Sequence, residues 1–187
     1  ACIVTYNTDQ KELAQIISCF QKTKLKFKLW ISDNSEEDSL RNFIKNLSDD
    51  RIEYIFNNSN NGFGSGHNVI LKKLMDSNCN EKAEFHIILN ADIVFEENTI
   101  EKMVDYMRKN PEIGQIGPKI YESSGEVNKS CRLLPTPLNL IFRRFFPIKS
   151  IVDKMDYNYE MRWCDYNSIM EVPILSGCLM FMRRPAA

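Results

Sequence analysis

The feature that most constrains this fold is an alternation of short apolar runs with segments of helical period. In three of the four segments, apolar residues recur at i, i+3, i+4 and i+7, which places them on one helix face. Because strands that alternate with helices form βαβ crossovers, the chain is predicted to be α/β, with a mostly parallel sheet flanked by helices. The predicted strands are 2–6, 27–32, 52–56 and 85–89. The predicted helix faces are Leu13, Ile16, Ile17 and Phe20; Leu40, Phe43, Ile44 and Leu47; Ile70, Leu71, Leu74 and Met75; and Ile100, Met103, Val104 and Met107.

The composition excludes several classes of protein. The chain has 187 residues, 43% of them hydrophobic, which is typical of one globular domain. Its 24 basic and 25 acidic side chains nearly balance, so the net charge does not favour binding of nucleic acid. Six cysteines without a C-x-x-C pair, together with only two histidines, argue against structural zinc and against a disulfide framework. We therefore expect reduced thiols and a cytoplasmic protein, and the sequence contains no apolar run long enough for a transmembrane helix.

The pattern of the sequence changes after residue 110. The segment 138–152 is apolar and basic, and we interpret it as a core helix, with a helix lying on a membrane surface as the alternative. The chain stops soon after a last strand candidate, so we expect a single domain, 1–187, that is truncated at its C-terminus. Residues 1–110 are predicted to bind a nucleotide, and 111–187 to form an incomplete acceptor half. The later strand candidates are "EIGQIGPKIY", "GEVNKSCRLL", "IMEVPIL" and "GCLMFMRR".

Polar residues directly follow each of the four apolar runs. Because ligands bind outside the carboxyl ends of parallel strands, we expect these clusters to converge at one edge of the sheet. Asp33 and Asn34 could instead turn the chain and cap a helix near Glu36, and Asn7 could act in the same way. Asp92 follows a buried-strand pattern, where an unpaired carboxylate is costly, so a role as metal ligand is one of two alternatives left open. The clusters are Thr5–Asn7, Ser32–Asn34, Asn57–Asn68 and Asn90–Asp92.

The segment 57–68, "NNSNNGFGSGHN", contains three of the seven glycines in the chain. A Walker phosphate loop needs a lysine directly after its last glycine, and the next lysine here is Lys72. A dinucleotide fingerprint should follow the first strand, whereas these glycines follow the third. The segment is therefore predicted to be a tight polar loop that holds Phe63 near the ligand edge and opens a helix around Asn68.

Several short motifs occur in an order that resembles a known family. They are "IVTYN", "ISDNSEED", "NNGFGSGHN", "ILNADIVF", "IGPKIY" and "VPILSGCLMFMRR". Over nearly its whole length the chain resembles family 2 glycosyltransferases of the GT-A fold, and most closely the bacterial rhamnosyltransferase-like members. The resemblance implies a GT-A-type, Rossmann-like sheet.

The resemblance also implies roles for individual residues. The position of Asp92 implies a ligand of Mg²⁺ or Mn²⁺ at the donor diphosphate, although "NAD" has one carboxylate where the family has D-x-D. Ser176 and Gly177 would contact the donor sugar and acceptor. The catalytic base would lie beyond Ala187, so no catalytic residue is assigned. The residues expected to bind the nucleotide are Thr5, Tyr6, Asn7, Asp33, Asn61, Gly62, Phe63, Gly66, Asn68 and Asn90.

The implied function is sugar transfer with inversion, from a dTDP-, UDP- or GDP-sugar to a hydroxyl of a saccharide or lipid-linked saccharide. The implied process is the synthesis of a cell-surface polysaccharide, by an enzyme that acts in the cytoplasm. Whether the enzyme contacts the inner face of the membrane is left open. A non-catalytic module that binds nucleotide sugars is the alternative, because the expected base lies outside this chain. A sugar-nucleotide pyrophosphorylase is disfavoured because "TYNTDQKEL", after the first strand, lacks glycine.

Overall fold

The computed structural model describes residues 1–75, 83–137 and 149–184, and they include an α/β unit with a six-stranded sheet. The strand order is β3-β2-β1-β4-β6-β5, with β1 to β4 parallel and β6 antiparallel to both of its neighbours. The predicted fold class is confirmed. The strands are β1 (Cys2–Thr5), β2 (Leu29–Asp33), β3 (Ile52–Phe56), β4 (Phe85–Asn90), β5 (Gln115–Ile116) and β6 (Leu179–Arg183). The helices are α1 (Gln10–Gln21), α2 (Arg41–Leu47), α3 (Phe63–Met75), α4 (Thr99–Lys109) and α5 (Lys149–Tyr159).

The helix faces predicted for α1 and α4 are the faces that the structure buries. All four apolar residues predicted for each helix are buried. They pack with the apolar side chains of the sheet in one core cluster, where burial of apolar area is the main stabilising contribution. Asp9 caps α1 by accepting a hydrogen bond from the backbone N–H of Lys11 at 2.7 Å.

The predictions for the other two helices were correct only in part. α2 begins at Arg41 rather than near Glu36, so Leu40 is its N-terminal flanking residue. In α3 the buried residues include Ile70, whereas Met75 is 81% exposed. Five residues at 100° each place Met75 about 140° around the helix from Ile70, so the two cannot share one buried face.

The later strand predictions were confirmed for one strand and overestimated for the others. β6 forms as predicted. It lies between β4 and β5 and is hydrogen-bonded to both. β5 has only two residues, and "GEVNKSCRLL" and "IMEVPIL" contribute single bridges, Tyr121 to Val127 and Arg132 to Ile174. Short apolar runs cannot be assigned as strands from periodicity alone, because a strand also depends on pairing with another segment of the chain.

The described chain divides into two compact units. The first comprises residues 1–116 and 177–187 and contains the sheet, and the second comprises residues 117–176. The predicted helix at 138–152 lies largely outside the described residues. Among the described helices, none is both long and apolar enough to span a membrane. The assignment of 1–110 and 111–187 to donor and acceptor binding stays a prediction.

Candidate functional site

The carboxyl ends of the four parallel strands lie at one edge of the sheet. Thr5 on β1 is paired with Asp33 on β2, and Asp33 is in turn paired with Phe56 on β3. On the other side of β1, Val4 is paired with Asn90 on β4. The polar clusters that follow these strands therefore start side by side, at the place where an open parallel sheet binds its ligands.

Asp33 is fully buried at this edge and has protein donors on both carboxylate oxygens. Its Oδ1 accepts hydrogen bonds from the Ser35 backbone N–H at 3.0 Å and from the Ser35 hydroxyl at 2.5 Å. Its Oδ2 accepts a hydrogen bond from the Tyr54 hydroxyl at 2.7 Å. These bonds offset the cost of burying the charge, and they make Asp33 a structural centre of the edge as well as a predicted ligand contact.

The residues after β1 combine a buried side chain with exposed ones. Thr5 is buried, and its hydroxyl has no hydrogen-bond partner among the described residues. Tyr6 is 48% exposed, so one aromatic surface is available to a ligand. Asn7 has a φ of 51°, which asparagine tolerates better than most residues, and its N–H donates to the Ser35 hydroxyl at 2.8 Å. Ser35 therefore links the end of β1 to Asp33.

Asn34 ties the glycine-containing loop to the end of β2. Its buried amide donates to the Gly62 carbonyl at 3.2 Å and accepts a hydrogen bond from the Asn57 side chain at 2.8 Å. Gly62 has a φ of +87°, a conformation that glycine adopts without steric cost. Two amides and one glycine therefore fix the entry to α3.

The helix after this loop begins earlier than predicted, at Phe63 rather than around Asn68. The N–H of Gly66 donates to the Gly62 carbonyl at 3.1 Å, which closes the first helical turn inside the glycine segment. A Cβ on Gly66 would lie 2.8 Å from both methyl carbons of Val4, so glycine here lets α3 pack closely on β1. Asn61 and Asn68, both predicted to bind nucleotide, are exposed.

Gly66→Ala is expected to destabilise the fold, because the added methyl group would overlap Val4. Overpacking of this kind costs about 1–3 kcal/mol, or a fall in melting temperature of a few degrees to about 10 °C. Thermal unfolding followed by circular dichroism measures the shift. Gly64→Ala is the matched control, since a Cβ there meets no atom within 4 Å. Equal melting temperatures for the two variants would contradict the close-packing role. Val4→Ala should be less destabilising in the Gly66→Ala background than in the wild type, because it removes the overlapping methyl groups.

Phe63 is held at the rim of the edge by a buried histidine. The rings of Phe63 and His67 meet edge to face with centroids 4.3 Å apart, and Phe63 stays 43% exposed. His67 Nδ1 lies 3.2 Å from Cys2 Sγ, and burial lowers the pKa of the imidazole to about 4. The histidine is therefore neutral at physiological pH and acts here as an aromatic support.

Asp92 follows β4 in a turn and is exposed. The backbone of the preceding Asn90 is fixed, because its N–H donates to the Cys178 carbonyl at 3.0 Å and its carbonyl accepts from the Ile93 N–H at 3.4 Å. In the described part of the chain, no three His, Cys, Asp or Glu side chains are arranged to hold a metal ion. A single exposed carboxylate from the protein fits a cation whose other ligands are phosphate oxygens and water.

The two residues predicted to contact donor sugar and acceptor fall in different units. Gly177 belongs to the unit that contains the sheet, and Ser176 is the last residue of the other unit. Their contact with donor sugar and acceptor stays a prediction.

Sequence reasoning missed several residues that shape this edge. Tyr54, Ser35 and His67 had no assigned role, although they contact Asp33 or Phe63 directly. The one available signal was a tyrosine two residues before the end of β3, on the strand next to that of Asp33. Contacts made by single hydroxyl and imidazole groups do not recur at a fixed spacing in the sequence, so apolar periodicity does not reveal them.

Comparison with known proteins agrees with this architecture. A family model described as glycosyl transferase family 2 matches residues 1–186. The chain belongs to glycosyl transferase family 2. No curated protein sequence matches this family 2 chain.

Two solved structures resemble the family 2 chain in fold. One is the mannosyltransferase PcManGT from Pyrobaculum calidifontis in complex with GDP-Man and Mn²⁺, with a TM-score of 0.58, 14% identity, and coverage of 98% of this chain and 44% of that one. The other is GalNAc-T7 with UDP, GalNAc and Mn²⁺, with a TM-score of 0.61, 13% identity, and coverage of 99% and 34%. The chain thus spans less than half the length of either protein, and at these identities the likeness shows the GT-A fold alone.

Proposed function

We propose that this family 2 chain binds a nucleotide-diphosphate sugar at the carboxyl edge of its sheet and transfers the sugar, with inversion, to an acceptor hydroxyl. The observation that supports this most is the register that joins the ends of β1, β2 and β4 at one edge, next to Asp92. The two solved structures of this fold contain nucleotides and Mn²⁺, which is consistent with the same ligand class here.

In this proposal each group at the edge has a distinct task. The exposed ring of Tyr6 stacks on the base, and Asp33 accepts a hydrogen bond from the base or ribose. Thr5 and Asn7 line the same pocket, and the loop with Phe63 closes over the nucleotide. The other residues of this segment proposed to approach the nucleotide are Asn61 and Gly62, before α3, and Gly66 and Asn68, in its first two turns. Asn90 is proposed to do so from the end of β4.

Asp92 is the proposed ligand of Mg²⁺ or Mn²⁺. When bound, the cation would neutralise charge that develops on the leaving diphosphate. Ser176 and Gly177 are proposed to contact the sugar and acceptor, and deprotonation of the acceptor is assigned to no residue of this chain. From the motif resemblance, we propose rhamnose as the sugar and a bacterial cell-surface polysaccharide as the product.

A thermal-shift screen of UDP-, GDP- and dTDP-sugars, with and without Mn²⁺, tests the donor class. A donor present at 100 times its Kd should stabilise the protein by about 2.7 kcal/mol, a shift of roughly 5–10 °C. Free ribose and inorganic phosphate serve as controls and should give no shift. Absence of stabilisation by every nucleotide sugar, in the presence of Mn²⁺, would contradict the proposal.

The cation is expected to bind together with the nucleotide and not before it. Because Asp92 is exposed and belongs to no group of three potential metal ligands within the described residues, the chain without nucleotide should leave the electron paramagnetic resonance signal of free Mn²⁺ unchanged. Addition of UDP together with the chain should lower this signal more than UDP alone. Saturable Mn²⁺ binding to the chain without nucleotide would show that other ligands hold the metal.

A further inference from the structure

The Tyr54 hydroxyl lies between two carboxylates. It is 2.7 Å from Asp33 Oδ2 and 2.9 Å from Asp38 Oδ1. Burial, and next the hydrogen bonds to these two acids, raise the pKa of the phenol, so the hydroxyl keeps its proton. A phenol has one proton and donates one full hydrogen bond at a time, so these two acceptors compete for the same donor.

Asp33 has no exposed surface, which bears directly on its proposed contact with the nucleoside. A ligand can reach this carboxylate only if a group that covers it moves, and the donors hydrogen-bonded to its oxygens are in direct contact with it. The two donors of Ser35 lie two residues away in the same turn and occupy Oδ1. Among the donors to Asp33 in the described residues, the Tyr54 hydroxyl is the one with a second carboxylate within hydrogen-bond distance.

Asp38 is placed to receive the hydroxyl. Its Oδ2 accepts from the Arg41 guanidinium, which also lies over the Tyr54 ring at 5.4 Å from the ring centroid. Arg41 thus balances the charge of Asp38 and orients Oδ1 towards the phenol. Asp38 is on the solvent side of the pair, with 29% of its side chain exposed, so it can receive the hydrogen bond without being desolvated further.

We propose that Tyr54 and Asp38 set the affinity for the nucleoside, because the Tyr54 hydroxyl leaves Asp33 for Asp38 when the nucleoside donates to Asp33. This inference rests on the proposed function of Asp33. In the free protein Tyr54 satisfies the buried carboxylate, and in the complex the nucleoside does so while Asp38 accepts the phenol. The exchange replaces the hydrogen bond from Tyr54 to Asp33 by one from the nucleoside, leaves the phenol proton on the 2.9 Å contact with Asp38, and transfers no proton between residues. Tyr54 and Asp38 are positioning residues, and neither needs to touch the reacting atoms.

Calorimetric titration of UDP, GDP and dTDP in Mn²⁺ tests this exchange through two variants with opposite expected effects. Tyr54→Phe removes the competing donor, so nucleotide affinity should rise about two- to tenfold even though the fold is less stable. Asp38→Ala removes the alternative acceptor, so affinity should fall by a similar factor. In the double variant, the loss of Asp38 should have no effect beyond that of Tyr54→Phe.

Glu37→Ala is the matched control, because it deletes an exposed carboxylate next to Asp38 and should leave affinity unchanged. A fall in affinity for both Tyr54→Phe and Asp38→Ala would overturn the proposal, since it would mean that Tyr54 only holds Asp33 in place. Asp38 is at the surface, so Asp38→Ala should fold, and unchanged affinity in this variant would overturn the proposal even if Tyr54→Phe does not fold. Unchanged affinity in Asp33→Ala would instead refute the proposed nucleoside contact itself, and this inference with it.

Discussion

Asp92→Ala is expected to weaken binding of the nucleotide sugar in Mn²⁺ by about 100-fold and to leave the fold intact. The loss follows from removal of the carboxylate proposed to anchor the cation at the diphosphate, an interaction typically worth several kcal/mol. The fold should survive because Asp92 is exposed. Calorimetric titration of UDP in Mn²⁺ measures the loss, and thermal unfolding confirms the fold.

The metal dependence of this effect separates it from a general loss of charge. In EDTA, wild type and Asp92→Ala should bind UDP with the same low affinity, because the cation is absent from both. Asp105→Ala deletes an exposed aspartate on α4 and is the control, with unchanged affinity in Mn²⁺. Unchanged affinity in Asp92→Ala, or an equal loss in Asp105→Ala, would show that Asp92 does not hold the metal.

Asp33→Ala is expected to reduce both nucleotide affinity and stability. Loss of a hydrogen bond to a charged group costs about 1.5–3 kcal/mol in affinity, or roughly 10- to 150-fold. The free energy of unfolding should fall by about 1–3 kcal/mol, because Tyr54 and Ser35 lose their buried acceptor. Titration with UDP and dTDP, after the folded fraction has been measured, gives the nucleotide affinity. Denaturant unfolding gives the free energy of unfolding.

Asp49→Ala is the control that separates the loss of nucleotide affinity from the loss of stability. Asp49 accepts hydrogen bonds from Arg51 and Gln21 near the start of β3, at the opposite edge of the sheet from Asp33. The bond from Arg51 holds the pKa of Asp49 well below its usual value, so this paired acid also stabilises the fold. Its replacement should lower stability and leave nucleotide affinity unchanged. If Asp33→Ala behaves in the same way, then Asp33 is a structural residue and not a nucleoside contact.

The sheet and its main helices could be predicted because apolar burial has a period. α1 and α4 bury the four residues that the i, i+3, i+4, i+7 spacing selects, and β3 has the predicted bounds. The convergence of strand ends follows from parallel pairing, which the alternation of strands and helices implies. These features depend on many residues at once, so single exceptions do not obscure them.

The details of the candidate site depend on single contacts, and sequence patterns do not encode these. The glycines of the segment 57–68 indicated a loop, yet the missing Cβ of Gly66 allows a helix to pack on Val4. Likewise, the hydrogen bond from Tyr54 to Asp33 joins residues of neighbouring strands and has no local signature. Such contacts become visible only when the strands have been placed in register.

The most direct test of the nucleotide and metal site is a crystal structure of the chain with UDP and Mn²⁺, with anomalous data collected at the manganese edge. We expect an anomalous peak about 2.1 Å from an Asp92 carboxylate oxygen, with the diphosphate on the same ion and the nucleoside beside Tyr6 and Asp33. A manganese peak on other carboxylates, or a nucleotide bound away from the carboxyl ends of β1, β2 and β4, would contradict this account.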